Sequence, residues 1–291
     1  MELATNPIKK GLNSFQLKMI ALFFMTVDHF GAYQTLTISR TVNDILRILG
    51  RIAAPLFLFL LIEGLRHTRS KWKYLFRLYV TAVLIQIANI LFSEYIAVGF
   101  LSPLGNIIPT FTYTALYIIC IEWLVSEIKA RRTAKALLPM ALIVMPFLIV
   151  WANNFCLENS YEVVATVLRV FTPSPFTVEY SFIFVLLGIA WYFINNKVYN
   201  AIVFAILCVL CFFVPAHLFF TIPIRMFLPV FFNAFSLFVS TQWCMVLAVP
   251  FMLLYNGEKG RSLKYLFYGY YPLHQYLLFT LQLFVNGKLF P

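Results

Sequence analysis

Residues 15–37 read FQLKMIALFFMTVDHFGAYQTLT, and this stretch decides the kind of fold. A helix needs about 20 mostly apolar residues to cross the hydrocarbon core of a bilayer, and this run supplies them. Its ionisable residues are Lys18 near one end and Asp28 and His29 in the middle. The run is too long for the apolar region of a cleavable signal peptide, and it lacks a small-residue cleavage site. We therefore expect the first membrane-spanning helix here.

Similar apolar runs follow along nearly the whole chain. Hydrophobic residues make up 62% of the 291 residues and charged residues 11%, whereas an ordinary soluble domain carries about 25% charged residues. The sequence predicts a single domain over 1–291 with an all-α fold, a polytopic membrane helix bundle of about nine spans (eight to eleven). The predicted spans are 15–37, 45–67, 72–93, 104–125, 136–154, 177–195, 199–220, 239–256 and 265–286. Residues 160–172 and 224–238 are ambiguous and could be interfacial or re-entrant segments.

The basic residues are distributed asymmetrically about these spans. Lys and Arg collect in the cytoplasmic loops of membrane proteins, which explains the net charge of +11 better than a nucleic-acid surface does. With a cytoplasmic N-terminus, 16 of the 22 Lys and Arg residues fall on the cytoplasmic side. The other six are Arg40, Arg47, Arg51, Arg169, Arg225 and Lys288. We therefore expect a lipid bilayer as the partner, no nucleic acid, and a C-terminus on the outer side.

Two histidines are predicted to lie at the same depth in the membrane. His29 follows Lys18 by eleven residues, or roughly 16 Å of helix, and so lies near the bilayer midplane. His274 follows Lys264 by ten residues, or roughly 15 Å. A shared cavity is one interpretation, and two unrelated histidines bonded to backbone carbonyls are the other. Ionisable groups at this depth are costly, and the pair Asp28 and His29 is either a general base or a structural polar pair.

Two arginines of the second predicted span also lie within apolar sequence. Arg47 and Arg51 are one helical turn apart and face the same way. Arg51 lies several residues inside the span and needs a partner, for which Asp28 is the natural candidate. A structural ion pair and a contact with substrate explain Arg51 equally well.

A dense positive cluster follows at the cytoplasmic end of the same span. Arg66 and Arg69 point to one helical face after Glu63, and Lys71 and Lys73 come next. Ordinary cytoplasmic charge explains the two lysines. Arg66 and Arg69 could instead bind phosphate, which a guanidinium recognises with two hydrogen bonds.

The five cysteines give no sign of a metal site. Cys208 and Cys211 lie one turn apart, but no His or acidic residue lies within three positions of either. Four of the five are inside apolar runs, where cysteine behaves as a small hydrophobic residue. We therefore expect no metal and no disulfide framework.

Short motifs at both ends of the chain resemble the TraX family of bacterial membrane proteins. The N-terminal motifs are Leu17-Lys18-Met19-Ile20-Ala21, Asp28-His29-Phe30-Gly31, the stretch 46–57, Glu63-Gly64 and His67-Thr68-Arg69; the C-terminal ones are Tyr255-Asn256-Gly257 and Tyr271-Pro272-Leu273-His274. The resemblance covers about 1–90 and 240–280, while 110–240 matches only in hydropathy. Ala54 departs from the pattern, since an aromatic residue is expected there.

The resemblance implies acyl transfer in the bacterial cytoplasmic (inner) membrane by a multi-pass protein. TraX proteins are known for acetylating the N-terminal amine of a conjugative pilin. They also resemble wider transmembrane acyltransferases, which use cytoplasmic acetyl-CoA. The acyltransferase-3 pattern is a basic residue, ten intervening positions, a His and a later Arg-x-x-Arg. Lys18 and His29 have that spacing, and Arg66 and Arg69 form the second element.

Roles for the site residues follow from this resemblance. His29, oriented by Asp28, is expected to be the general base, and His274 or Tyr271 is expected to polarise the thioester carbonyl. The expected ligands of acetyl-CoA are Lys18, Arg66, Arg69 and Lys71, and Arg47, Arg51 and Glu63 are substrate-binding or structural. The acceptor is expected to be a pilin N-terminus or an envelope glycan, by N- or O-acylation.

Two other classes of protein fit the same residues. A proton-coupled secondary transporter also uses Asp, His, Glu and Arg inside the membrane, although the sequence has no paired halves with matching broken helices. A non-catalytic pilus or envelope assembly protein would need none of the proposed chemistry.

Overall fold

The computed structural model describes residues 10–33, 39–95, 105–176, 178–213, 242–261 and 264–285. These residues form α-helices and one 3₁₀ segment, with no sheet strand among them. The helices are α1 (Ser14–Tyr33), α2 (Arg40–Gly50), α3 (Ala53–His67), α4 (Lys71–Tyr95), α5 (Ile108–Lys129), α6 (Thr133–Glu158), α7 (Glu162–Phe171), α8 (Ser181–Ile194), α9 (Lys197–Phe213), α10 (Val249–Leu253) and α11 (Lys264–Val285). The 3₁₀ segment is Gln242–Ala248. The predicted all-α helical bundle is confirmed.

Four stretches of the described chain are long and apolar enough to cross a membrane. They are Arg40–His67, Lys71–Tyr95, Ile108–Lys129 and Thr133–Glu158, and shorter apolar helices cover Ser181–Ile194, Lys197–Cys211 and Gln242–Leu253. The number of spans stays a prediction. The ambiguous residues 160–172 contain the ten-residue helix α7, and 224–238 lie outside the described residues.

The second predicted span, 45–67, is divided into α2 and α3. α2 begins earlier, where the Ser39 side chain accepts a hydrogen bond from the backbone N–H of Val42, as a helix N-cap does. The backbone turns at Arg51 and Ile52 before α3 begins. Pro55 explains this break, because its ring would clash with the carbonyl of residue 51 in a continuous helix.

The basic loops gather at one end of the bundle, here called the basic face. The backbone N–H of Ser14 donates to the carbonyl of Glu258 (2.8 Å), so the start of α1 meets the loop before α11. Lys197 donates to the carbonyls of Leu253 and Tyr255 (both 3.1 Å), which joins the start of α9 to the same place. The end where α2 begins and α6 ends is called the opposite face. That the basic face is cytoplasmic stays a prediction from the distribution of Lys and Arg.

Gly50 allows α1 to approach the turn between α2 and α3. A Cβ atom added at Gly50 would overlap the side chain of Asp28 and come within 2.6 Å of its Cα. The obstacle is helix backbone, which cannot move aside as a flexible side chain can. Asp28 can therefore lie beside α2 only because residue 50 is a glycine and has no side chain.

We expect Gly50→Ala to destabilise the purified protein by about 1–3 kcal/mol, the usual effect of an overpacked core. Thermal unfolding in detergent would measure it. Gly269→Ala is the control, because no atom lies within 4 Å of the Cβ position at Gly269. Equal melting temperatures for the two variants would contradict the close packing at Gly50.

Candidate functional site

His29 of α1 and His274 of α11 are in direct contact. The Nδ1 atom of His29 lies 2.7 Å from the Nε2 atom of His274, and the two rings are stacked with their centroids 4.9 Å apart. Both residues are buried, at 7% and 6% exposure. The sequence placed them at one depth, and the structure brings them together although 245 positions separate them in the chain.

The contacts of His274 determine which ring nitrogens carry protons when both rings are neutral. The Nδ1 atom of His274 lies 2.7 Å from the carbonyl oxygen of Tyr270. A carbonyl can only accept, so this nitrogen donates and the Nε2 atom of His274 must accept from His29. His29 therefore carries its proton on Nδ1 and presents a lone pair on Nε2. Within the described residues this Nε2 atom has no hydrogen-bond partner.

Asp28 is directed away from the histidine pair and towards two arginines. Its Oδ2 atom lies 3.0 Å from Arg47 Nη1, and its Oδ1 atom lies 3.6 Å from Arg51 Nη2. The predicted pairing of Asp28 with Arg51 is therefore present. The expectation that Asp28 orients His29 is wrong. Consecutive residues point about 100° apart on a helix, so the two side chains diverge. His274 holds the His29 ring instead.

A small central cavity of about 30 Å³ lies beside the histidine pair. Its walls come from α1, the end of α2, α3, α11, and the residues that precede α5 and α8. The lining residues are Met25, Asp28, His29, Gly50, Ala53, Ala54, Phe57, Ile107, Glu179, Tyr180 and Tyr271. Ala54, the departure from the expected aromatic residue, leaves part of this space open.

A basic-face cavity of about 490 Å³ adjoins the central cavity, with which it shares Met25, Phe57, Ile107 and Tyr271. Most of its wall is apolar and is formed by α1, α3, α4 and α5. Its charged lining residues are Lys18 of α1 and Arg77 of α4. Arg77 lies over the ring of Tyr74, 5.8 Å from its centroid.

The remaining predicted phosphate ligands do not line this cavity. Arg66 donates to Glu63 (2.5 Å) and to the carbonyls of Trp191 (2.6 Å) and Tyr192 (3.0 Å). It thus caps the carboxyl end of α8, where a positive charge is favoured. Lys71 donates to both carboxylate oxygens of Glu122 at 2.7 and 2.6 Å. Arg69 is exposed.

Tyr271 connects the histidine helix to the start of α5. Its hydroxyl accepts from the backbone N–H of Ile107 (3.1 Å) and donates to the carbonyl of Gly105 at a long 3.4 Å. The side chain lines both the central and the basic-face cavities. Tyr271 can therefore hold this loop and, by turning its hydroxyl proton, donate to a group in the central cavity.

An opposite-face cavity of about 700 Å³ shares Glu179 and Tyr180 with the central cavity. It lies between the ends of α6 and α7, the turn after α2, and the described parts of the connection between α7 and α8, residues 172–174 and 178–180. That connection runs into the bundle, because Thr110 of α5 donates to the carbonyl of Glu179 (2.7 Å) and Tyr113 donates to that of Pro173. The histidine pair therefore lies between two large cavities on opposite sides.

Arg77 and Glu179 are site residues that sequence reasoning missed. Glu179 falls inside the predicted span 177–195, so the rule that made Asp28 a candidate would have found it as well. Arg77 was counted with the ordinary cytoplasmic charge. Its spacing of three residues from Tyr74, which puts both on one helical face, was the available signal. No cluster of three or more His, Cys, Asp or Glu residues suited to a metal occurs in the described ranges.

Comparison with known proteins gives two matches. The model of the TraX protein family matches residues 14–282, nearly the whole chain. The probable fimbrial assembly protein FimC, serogroup H1, of Dichelobacter nodosus is 26% identical over 277 residues, which cover 94% of this chain and 97% of that protein. No solved structure matches the chain. The family match includes both histidine-bearing helices α1 and α11, and the chain belongs to the TraX family.

Proposed function

We propose that this protein transfers an acetyl group from acetyl-CoA to an acceptor in the membrane, with His29 as the general base. The observation that carries the proposal is the histidine pair, which leaves the Nε2 lone pair of His29 beside a cavity between two larger ones. A base held in one tautomer by a second hydrogen bond is typical of proton-transfer sites. The thioester enters through the basic-face cavity.

The reaction needs one proton transfer in each direction at His29. The Nε2 atom removes the proton of the acceptor N–H or O–H as that atom attacks the thioester carbonyl carbon. The carbon–sulfur bond then breaks, and the same proton passes from Nε2 to the leaving thiolate of CoA. Tyr271 donates to the oxyanion. His274 cannot do so while its two ring nitrogens are bonded to His29 and Tyr270, so its role is to position His29.

The acceptor belongs to pili in this proposal. The relative from Dichelobacter nodosus is named as a probable fimbrial assembly protein, and the family is associated with acetylation of a pilin N-terminus. Acetylation and assembly are compatible, because modification of the subunit can precede its assembly. A purely non-catalytic assembly role is the second candidate.

The test is acetyl transfer by the purified protein in nanodiscs, with labelled acetyl-CoA and a short peptide that has a free N-terminal amine. We expect labelled peptide and one equivalent of CoA thiol for each peptide modified. Absence of both products, with acetyl-CoA neither bound nor consumed, would favour the assembly protein. Proton-driven uptake into proteoliposomes without acetyl-CoA would favour a transporter.

The donor site gives a separate prediction. We assign the CoA phosphates to Lys18 and Arg77, because both line the basic-face cavity, whereas Arg66 and Lys71 do not line it and form ion pairs elsewhere. The double variant Lys18→Gln, Arg77→Gln is expected to raise the KM for acetyl-CoA about tenfold or more, since hydrogen bonds to charged groups contribute about 1.5–3 kcal/mol each. Steady-state kinetics in nanodiscs would measure it.

Lys73→Gln is the matched control for this measurement. Lys73 is a basic residue of the same helix and is exposed, but it does not line the basic-face cavity. An equal rise in KM for the control and the double variant would indicate a general effect of surface charge and would remove the assignment.

A further inference from the structure

Glu179 lies where the central cavity meets the opposite-face cavity. It lines both of them and does not line the basic-face cavity. A Cβ atom added at Gly105 would lie 3.2 Å from the Oε2 atom of Glu179. The carboxylate therefore fits here because residue 105 is a glycine. Its backbone carbonyl is held by Thr110. The carboxylate is thus placed by packing at the inner end of the opposite-face cavity.

The charges around Glu179 come from three elements. Asp28 of α1, Arg47 of α2 and Arg51 of the following turn all act on it electrostatically. Asp28 makes close ion pairs with both arginines. No salt bridge involving Glu179 occurs within the described part of the chain. The site thus holds a second carboxylate with no close cationic partner among those residues.

An amine acceptor needs two proton acceptors, whereas a hydroxyl needs one. An α-amino group is mostly an ammonium ion at neutral pH, and an ammonium nitrogen has no lone pair with which to attack. One proton must leave before the attack and a second as the carbon–nitrogen bond forms. His29 takes the second proton in the proposed function. The first requires another base on the side from which the acceptor arrives.

We propose that Glu179 is this base, and that it binds the ammonium group of an amine acceptor that enters through the opposite-face cavity. The inference rests on the proposed function. The ammonium gives one proton to the Glu179 carboxylate, and the free amine attacks the thioester and gives its next proton to His29. That proton leaves with the CoA thiol, and the proton on Glu179 passes to water in the opposite-face cavity. The balance is one acetylated amine, one CoA thiol and one proton released.

The wall of the opposite-face cavity fits the rest of such an acceptor. Buried polar atoms of two lining residues, Nε of Arg51 and Oδ1 of Asn153, have no hydrogen-bond partner within the ranges that the structure describes. A buried donor and a buried acceptor without partners are costly. They match the carbonyl and N–H groups of a peptide chain behind its terminal amine. Five carboxamide side chains line the same cavity: Gln86, Asn106, Asn153, Asn154 and Gln242.

The experiment compares two nucleophiles in Glu179→Gln. The first is a short peptide with a free N-terminal amine, and the second is hydroxylamine, which is largely uncharged at neutral pH. We expect peptide acetylation at pH 7 to fall about tenfold, because only about a tenth of an α-amino group is uncharged at that pH, while hydroxamate formation from hydroxylamine stays near the wild-type rate. Raising the pH to about 9, where the α-amino group is mostly neutral, should restore most of the peptide activity.

Glu162→Gln is the control, because Glu162 is an exposed carboxylate at the start of α7 that lines none of the three cavities. Unchanged peptide acetylation in Glu179→Gln would overturn the inference and leave the proposed function intact. An equal loss with both nucleophiles, without recovery at high pH, would overturn it as well, because it would mean a structural role. A wild-type protein that makes neither product would remove the proposed function itself.

Discussion

His29→Asn is expected to reduce kcat for acetyl transfer by about 10²–10⁴-fold, the range that a positioned general base contributes. Asn cannot accept a proton, but it can still hydrogen-bond to the Nε2 atom of His274. The KM for acetyl-CoA should change little, because His29 does not line the basic-face cavity. Kinetics of the purified variant in nanodiscs, with labelled acetyl-CoA and the amine peptide, would measure both constants.

Replacement of His274 is expected to lower activity less than replacement of His29. His274 acts through His29. In metal sites, loss of a residue that positions a ligating histidine lowers metal affinity or activity about 10–100-fold. His274→Asn should therefore keep more activity than His29→Asn. His67→Asn is the control, since His67 is exposed at the basic face. Equal losses at His29 and His274 would mean that the two rings share the base role, and full activity in His29→Asn would end the proposed mechanism.

The depth of the site could be predicted from the sequence because helix geometry is regular. Counting residues from Lys18 and from Lys264 is enough to place His29 and His274 at one level, since every helical residue adds the same rise. Whether two residues at one level also face each other depends on helix rotation and packing. The direct contact of 2.7 Å therefore could not be deduced from the spacing.

The phosphate ligands show the limit of motif reasoning. Arg66 and Arg69 have the right spacing and the right side chains. Arg66 is nevertheless bound to the end of α8, more than 120 residues later in the chain. Nothing near Arg66 in sequence reveals that partner. Local spacing predicts which residues share a helical face, but which helix packs on that face is decided by tertiary structure.

The rule for ionisable residues inside spans finds Glu179, but the sequence does not show what kind of backbone carries it. It lies in a connection that enters the bundle, held by Thr110 and Tyr113 of α5. The sequence signals available for a membrane protein are hydropathy and charge, and neither distinguishes a buried connection from the beginning of a span. Irregular backbone inside a membrane protein is tolerated where it lines a cavity, which is the situation of residues 172–174 and 178–180.

The ion pair of Asp28 with Arg51 carries the largest expected effect on stability. Arg51 is 6% exposed and Asp28 8%, so both charges lie inside the bundle. Removing one partner of a buried pair costs roughly 3–5 kcal/mol, because the other charge stays buried and unpaired. We expect Asp28→Leu to accumulate poorly in membranes and to melt at a much lower temperature in detergent.

The double variant Asp28→Leu, Arg51→Met separates this effect from catalysis. Replacing both charges with apolar side chains of similar size is often neutral for stability, so the double variant should recover most of the melting temperature lost in Asp28→Leu. Arg47 can remain, because its side chain is 31% exposed and can reach water. His29 is held by His274 and not by Asp28, so acetyl transfer to hydroxylamine should return with stability. A stable but inactive double variant would show that Asp28 acts on the reaction itself, and the geometry of the histidine pair would then be insufficient to explain the base.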